Sequence, residues 1–268
     1  MEPTIDCLLE VCLAAARAGA AQLLAYASEF AVREKSPADF VTDADLAAQE
    51  AIYNVVRKAF PEHGFLGEES PQRSELDKEF CWVVDPLDGT TNYVHQFPCY
   101  ATSVAIARRG ELLAGVVYDP VSDECFVAAK GRGATLNSRP VRVTQAVDLR
   151  SAMVAVSLPY GLTHDSPDLV SFVDIAPRCQ AVRRTGSAAL NLAYVACGRL
   201  DAHWACEINP WDAAAGVLLI QEAGGIVSGS DGRPFELTEA DYLTAATPTL
   251  HAELLERLNA IDRHKRDN

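Results

Sequence analysis

Cys81-Trp82-Val83-Val84-Asp85-Pro86-Leu87-Asp88-Gly89-Thr90-Thr91-Asn92 brings two carboxylates, a glycine and two hydroxyls into one short stretch. Strand formers that stop at Asp-Pro predict a buried strand feeding a turn. Gly-Thr-Thr-Asn supplies small, hydroxyl-bearing residues that open a helix and leave backbone N–H groups unpaired. Carboxylates beside such donors suit a divalent cation and a phosphate together. Glu68 and Asp212 complete the candidate acid set, with Asp39, Asp43 and Asp45 in reserve.

Several chemistries are excluded by spacing. The Gly-Thr-Thr stretch has no Lys, so it is not a nucleotide P-loop. Asp85 and Asp88 are three apart, whereas an EF-hand needs acids at alternate positions. The stretch also misses, by one residue, the D-x-D-G-T pattern of haloacid-dehalogenase phosphatases, whose first Asp is a covalent nucleophile. What remains is an oxygen-lined site for a hard cation such as Mg²⁺. Two such ions about 3.5–4 Å apart can bridge a phosphate and lower the pKa of a bound water. Glu68 and the Thr90 hydroxyl would orient or deprotonate that water, and the Gly89 and Thr90 N–H groups would hold phosphate oxygens. Asp212 follows Trp211 at a helix start, where plain capping is the competing role.

The surrounding elements follow from periodicity. Ile5, Leu8, Leu9, Cys12, Leu13, Ala16, Ala20, Leu23 and Leu24 predict a long amphipathic helix, ended by Pro37. Thr42 or Asp43 caps a second helix that runs to Phe60 and Pro61, so capping is also the plain role for Asp43 and Asp45. Phe65-Leu66-Gly67 is a short apolar piece, and Glu68-Glu69 by themselves read as a solvated face. From Tyr100 the period becomes two, and 101–108, 112–118, 124–129 and 134–136 predict an antiparallel meander. Gly131 and Gly133 serve its turns. Strands over 151–157, 181–184, 200–206, 226–227 and 242–246 alternate with helices over 168–175, 188–195, 209–222 and 248–261. The change of pattern places a subdomain boundary near 145–150.

The chain has 268 residues, 49% apolar and 22% charged, with 23 basic against 37 acidic residues and a net charge of −14. This balance argues against a charge-driven nucleic-acid or membrane-surface binder. An anionic substrate remains compatible, because a metal ion inverts the local field. The eight Cys form no C-x-x-C pair, and the start of the chain lacks a basic leader. No apolar run reads as long enough to cross a bilayer. The expectation is a cytoplasmic protein with reduced, buried thiols.

The motifs together resemble the inositol monophosphatase family. Gly67-Glu68-Glu69-Ser70, Trp82 through His95, and Trp211-Asp212-Ala213-Ala214-Ala215-Gly216 carry the resemblance. Pro37 through Asp45 and Glu222-Ala223-Gly224-Gly225 extend it over about residues 5–262. It implies an α/β (α+β) fold, a layered αβαβα sandwich of the inositol monophosphatase and fructose-1,6-bisphosphatase type. It implies one catalytic domain over 5–262, with subdomains of about 5–147 and 148–262. It further implies a homodimer that hydrolyses a small phosphomonoester with two or three Mg²⁺ ions and is inhibited by lithium. Glu68, Asp85, the Leu87 carbonyl, Asp88 and Asp212 would be metal ligands, and Asp45 would help hold a weaker ion. Glu68, Thr90 and Asp88 would be catalytic. Gly89 and Thr90 would bind phosphate, and Gly186, Ser187, Ala188, Glu207 and Asp212 would face the substrate. Lys35 would be a positive neighbour, and His95 would be structural.

One position departs from the family pattern. Inositol-specific relatives carry a Glu seven residues before the last metal-binding Asp, where this chain has Ala205, with Glu207 two residues later. A two-residue move along a strand keeps the face but shifts the side chain by ~6.5–7 Å. A bulge would let Glu207 substitute. Otherwise the preferred alcohol changes, with sugar bisphosphates, histidinol phosphate and 3′-phosphoadenosine nucleotides as alternatives. A metal-binding regulatory protein without turnover is the competing class. The Ala205–Glu207 region and the loop over 160–168 are expected to decide specificity.

Overall fold

A computed structural model describes residues 2–36, 39–239 and 241–266, without the side chains of 35, 36, 39 and 261–266. Thr4 caps helix α1 (Ile5–Tyr26), accepting from the Cys7 N–H. A hairpin follows, β1 (Val32–Ser36) against β2 (Asp39–Thr42). This corrects the expectation that Pro37, itself outside the described residues, ends the first helix. The helix ends at Tyr26, which packs beside Leu23, and the hairpin pairs the backbone from Val32 onward. Thr42 caps α2 (Asp43–Ala59) in a reciprocal capping box with Asp45.

The chain then builds a seven-stranded sheet from β3 (Gly64–Gly67), β4 (Phe80–Asp88), β5 (Ala101–Arg108), β6 (Glu111–Asp119), β7 (Glu124–Ala129), β8 (Gly133–Leu136) and β9 (Arg139–Val141). The short helix α3 (Thr90–Val94) leaves the end of β4. β3 runs parallel to β4, and every later pair is antiparallel, as the meander pattern predicts. A second sheet of five strands contains β10 (Met153–Val156), β11 (Ala181–Arg183), β12 (Ala202–Ala205), β13 (Ile226–Ser228) and β14 (Tyr242–Ala245). Its order is β11-β10-β12-β14-β13. Helices α4 (Pro167–Ile175), α5 (Ala188–Ala196), α6 (Pro210–Glu222) and α7 (Pro248–Arg266) complete the chain.

These elements stack as an αβαβα sandwich. α1 and α2 cover one face of the seven-stranded sheet through Leu8, Cys12, Ile52 and Val56 against Trp82, Val84, Val104, Ile106 and Val116. α5 and α6 fill the space between the sheets. α4 and α7 close the far side through Ile175, Leu250 and Leu254 against Val154, Trp204 and Leu243. Each central strand is therefore buried on both faces, and β5 is buried almost throughout rather than on alternate residues. The alternation survives as size. Val104 and Ile106 face the outer helices, whereas Ala101, Ala105 and Ala107 face the middle layer.

α1, at 22 residues, is long and apolar enough to cross a membrane by length and composition, contrary to the sequence reading. Its apolar character comes largely from alanines, which make a weak hydrophobic run. In this fold Leu8, Cys12, Ala15, Ala16, Gly19, Ala20 and Leu23 are buried, which makes it a core helix.

The middle layer is tight because its side chains are small. A methyl group on Gly115 of β6 would sit 3.0 Å from the Ala215 Cα of α6, and one on Gly216 would overlap Leu192 of α5. Gly216→Val should therefore force α5 and α6 apart. We expect a loss of about 1–3 kcal/mol, read as a fall in Tm of roughly 2–4 °C per kcal/mol. An unchanged Tm would mean that the two helices are not held at this spacing.

Candidate active site

Asp85 and Asp88 lie three positions apart, so a regular strand would send them to opposite faces. The strand does not stop at Asp85-Pro86 but continues to Asp88, with a bulge. Asp85 pairs with Ser103 and Asp88 with Ala101, so Pro86 and Leu87 lie opposite the single residue Thr102. Pro86 has no N–H to give to a ladder. The Thr102 hydroxyl donates to the Pro86 carbonyl at 3.0 Å, and Asp85 Oδ1 accepts the Leu87 N–H at 2.9 Å. The extra residue that spoils the D-x-D pattern is absorbed here, and both acids end on one side.

Asp88 is held from the middle layer. The Ser187 hydroxyl and the Ala189 N–H (2.8 Å) donate to its Oδ2, and the Ala188 N–H donates to Oδ1 at 3.2 Å. Ser187 was expected to line the substrate side. It is buried as the α5 cap instead, because its hydroxyl is committed to Asp88 and to the Leu190 N–H. Asp212 sits in the first turn of α6 and accepts the Asn209 N–H at 3.1 Å. Trp211 packs into the core, and its carbonyl accepts from Ser103 of β5 at 3.2 Å. Asp212 thus both caps its helix and joins the cluster. Ligand oxygens of Asp85, Asp88 and Asp212 all lie within 4.8 Å of one another.

A cleft of about 780 Å³ opens over this cluster. Glu68, Asp85, Leu87, Asp88, Gly89, Thr90, Gly186, Ala188, Glu207 and Asp212 all line it. Gly89 has φ +102°, a conformation that favours glycine, and it caps α3 where the Thr90 side chain enters the cleft. The Thr90 hydroxyl donates to Asp45 Oδ1 and to the Leu87 carbonyl, both at 3.1 Å. Asp45 is fully buried behind Thr90 and also accepts the Thr42 N–H at 2.7 Å. It stands behind the cleft wall, in contact with the cleft through the Thr90 hydroxyl. Asp43 pairs with Arg33 at 3.1 Å away from the site. The side chains of Asp39 and Lys35 lie outside the described residues, and His95 ends α3 in solvent.

Glu207 lies past the end of β12, in the turn that leads to α6. No strand bulge brings it to the cleft. The four residues 206–209 form the connection, and both Glu207 and Asn209 line the opening. Several other lining groups carry no local signal in the sequence. Arg184 donates to the Leu158 carbonyl at 3.2 Å, Arg73 enters from the loop after β3, and Tyr160 bonds to Thr91 across the cleft. Tyr160 falls in the loop singled out for specificity, but nothing in its local pattern marks its distant partner.

The donor set suits a hard cation. Asp85, Asp88 and Asp212 form no ion pair with Lys or Arg among the described residues, so their charge calls for a cation or protons. Burial, and then the charges of Glu68, Asp212 and Asp88, push the Asp85 carboxyl well above the usual range. Burial, and then Asp212, push Asp88 up to about 7 against the pull of Ser187, Ala189 and Ala188. Burial also raises Asp212.

A carboxyl raised in the folded state stabilises the fold fully below its unfolded pKa, near 3.8, and loses that contribution as pH rises through about 7. In EDTA, the unfolding free energy should fall from pH 5 to 7 by about 1.4 kcal/mol per unit for each retained proton. Mg²⁺ at a hundredfold excess over Kd should restore about 2.7 kcal/mol, most visibly above pH 7. Denaturant melts with and without the metal test this, and a flat profile in EDTA would contradict it.

The sequence profile of the inositol monophosphatase family matches residues 5–263. The chain is 40% identical to an inositol-1-monophosphatase of Caulobacter vibrioides, over 94% of this chain and 100% of that protein. It is also 40% identical to the Nus factor SuhB of Pseudomonas aeruginosa, over 92% and 94%. The solved inositol monophosphatase of Anabaena superposes with a TM-score of 0.84 at 37% identity, covering 94% of this chain and 95% of that one. The sandwich, the ordered motifs and these relatives agree, and the chain belongs to the inositol monophosphatase family, a family of phosphatases.

Proposed function

We propose that this protein hydrolyses a small phosphomonoester with Mg²⁺, with myo-inositol monophosphate as the leading substrate. The observation that carries the reading is the convergence of Asp85, Asp88 and Asp212 in one cleft with Glu68 and Thr90. Glu68, Asp85, the Leu87 carbonyl, Asp88 and Asp212 would hold the metal. When bound, it would neutralise these charges, grip the phosphate and acidify water.

The remaining work falls to the chain. The single Thr90 hydroxyl proton is committed to Asp45 and the Leu87 carbonyl. Thr90 therefore presents lone pairs to the cleft and accepts a hydrogen bond from the attacking water. Glu68 is the second acceptor at the same wall. The water oxygen bonds to phosphorus as the ester P–O bond breaks, with no covalent enzyme intermediate. The water gives up one proton to the Thr90–Asp45 pair or to Glu68, and the departing alkoxide takes up one proton from solvent to leave as the alcohol. The N–H groups of Gly89 and Thr90 serve the phosphate oxygens.

Glu207 and Asn209 offer the alcohol a carboxylate and an amide, which supports a polyol such as inositol. Arg73 and Arg184 line the same opening and favour a second reading, an ester that carries another anionic group. None of the eight cysteines is in a disulfide, which supports a reducing, cytoplasmic setting, and the family resemblance supports a homodimer.

Thr90→Val should lower kcat by about 10²–10⁴-fold, as loss of a proton acceptor does, with KM little changed. Asp88→Asn should abolish Mg²⁺-dependent phosphate release while the fold persists by circular dichroism. Release should be fastest from inositol 1-phosphate in a panel with fructose 1,6-bisphosphate, histidinol phosphate and 3′-phosphoadenosine 5′-phosphate. Preference for a bisphosphate would favour the second reading. Metal binding without release from any ester would instead indicate a binding protein.

A further inference from the structure

Glu68 is carried on a turn rather than on a strand or a helix. β3 ends at Gly67, the Glu68 N–H still bonds to the Val84 carbonyl of β4 at 3.1 Å, and the chain then reverses through Ser70. A carboxylate on such a turn needs an external hold to keep a fixed aim. One side chain provides it. Gln49 of α2 accepts the Glu69 N–H on Oε1 at 2.9 Å and donates from Nε2 to Ser70 Oγ at 3.0 Å. Its amide also lies close against Gly67, where an added methyl group would come within 2.8 Å of Gln49 Cδ. Gln49 thus meets residues 67, 69 and 70, on both sides of Glu68, without standing among the cleft-lining residues.

The helix that supplies Gln49 also supplies Asp45, four residues earlier and on the same face. Asp45 fixes the Thr90 hydroxyl, and Gln49 fixes the turn of Glu68. We infer that Gln49 is a positioning residue for the reaction, acting through Glu68, and that α2 sets the mutual placement of the two groups that receive the water's proton. This inference rests on the proposed role of Glu68. Both atoms of the amide are needed, the oxygen as acceptor and the nitrogen as donor, which an apolar side chain of equal length cannot supply.

The test is a kinetic cycle on the full-length enzyme with inositol 1-phosphate and a Mg²⁺ titration. Gln49→Leu should lower kcat about 10–100-fold and weaken the Mg²⁺ half-saturation, the usual scale for removing a supporting hydrogen bond behind a ligand. KM should stay near the parent value, because no substrate contact is lost. In a Glu68→Gln background, Gln49→Leu should have no further effect on kcat, since the group it aims is already disabled. Gly67→Ala, which intrudes on the amide, should reproduce the loss in the parent and cost little in the Gln49→Leu protein. A Gln49→Leu enzyme with parental kcat and Mg²⁺ dependence overturns the inference. So do effects of Gln49→Leu and Glu68→Gln that multiply. If Glu68→Gln itself turns over normally, the proposed role of Glu68 fails first, and that outcome is read separately. Should Gln49→Leu misfold, Ser70→Ala removes the nitrogen's partner alone, and an intermediate fall in kcat is expected. Parental kcat in that variant would likewise count against the inference.

Discussion

Bringing several carboxylates together out of water is the constraint to which this structure answers. Asp85, Asp88 and Asp212 converge in a chain that already carries a net charge of −14. Asp212 raises the proton affinity of both Asp85 and Asp88, and Asp88 raises that of Asp85. Such a cluster persists only where the scaffold holds every member and a compensating charge is accepted. The scaffold does so with N–H and O–H donors. α5 points its first turn at Asp88, and Asp212 occupies the first turn of α6, where the helix dipole favours negative charge.

That arrangement depends on the middle layer. Two helix N-termini reach the end of β4 because α5 and α6 lie close to each other and to the sheet. Closeness requires Ala213, Ala214, Ala215 and Gly216 on one side and Ala105 and Gly115 on the other. The large residues of the same strands face away, toward α1 and α2. The size alternation is therefore functional as well as structural: it sets the distance between elements that carry different members of the cluster.

The two walls of the cleft differ in construction. The wall with Glu68 and Thr90 is backed by α2, whose Asp45 and Gln49 bond to what lies in front of them. The opposite wall is built from connections: residues 157–160, Arg184 and the turn carrying Glu207 and Asn209. Under the proposed function, the chemistry falls to the braced side and recognition of the alcohol to loops.

Much of this was readable in the sequence because it is encoded within short windows. Apolar periodicity located the helices and the meander, Thr42 and Pro61 bounded α2, and acid and hydroxyl types marked β4 and its turn. The hairpin β1–β2 was missed because its polar residues carry little local signal. The remainder lay beyond any window. The bulge after Asp85 depends on the register with β5, and the Ser187 hydroxyl reaches Asp88 across 99 residues of chain. Gln49 meets the Glu68 turn from 20 residues away, and Glu207 gains the cleft through a loop. The sequence determined which groups exist and which segments carry them, because those properties are local. Only tertiary packing decided which of them meet, because strand register and helix spacing are set by contacts between distant parts of the chain.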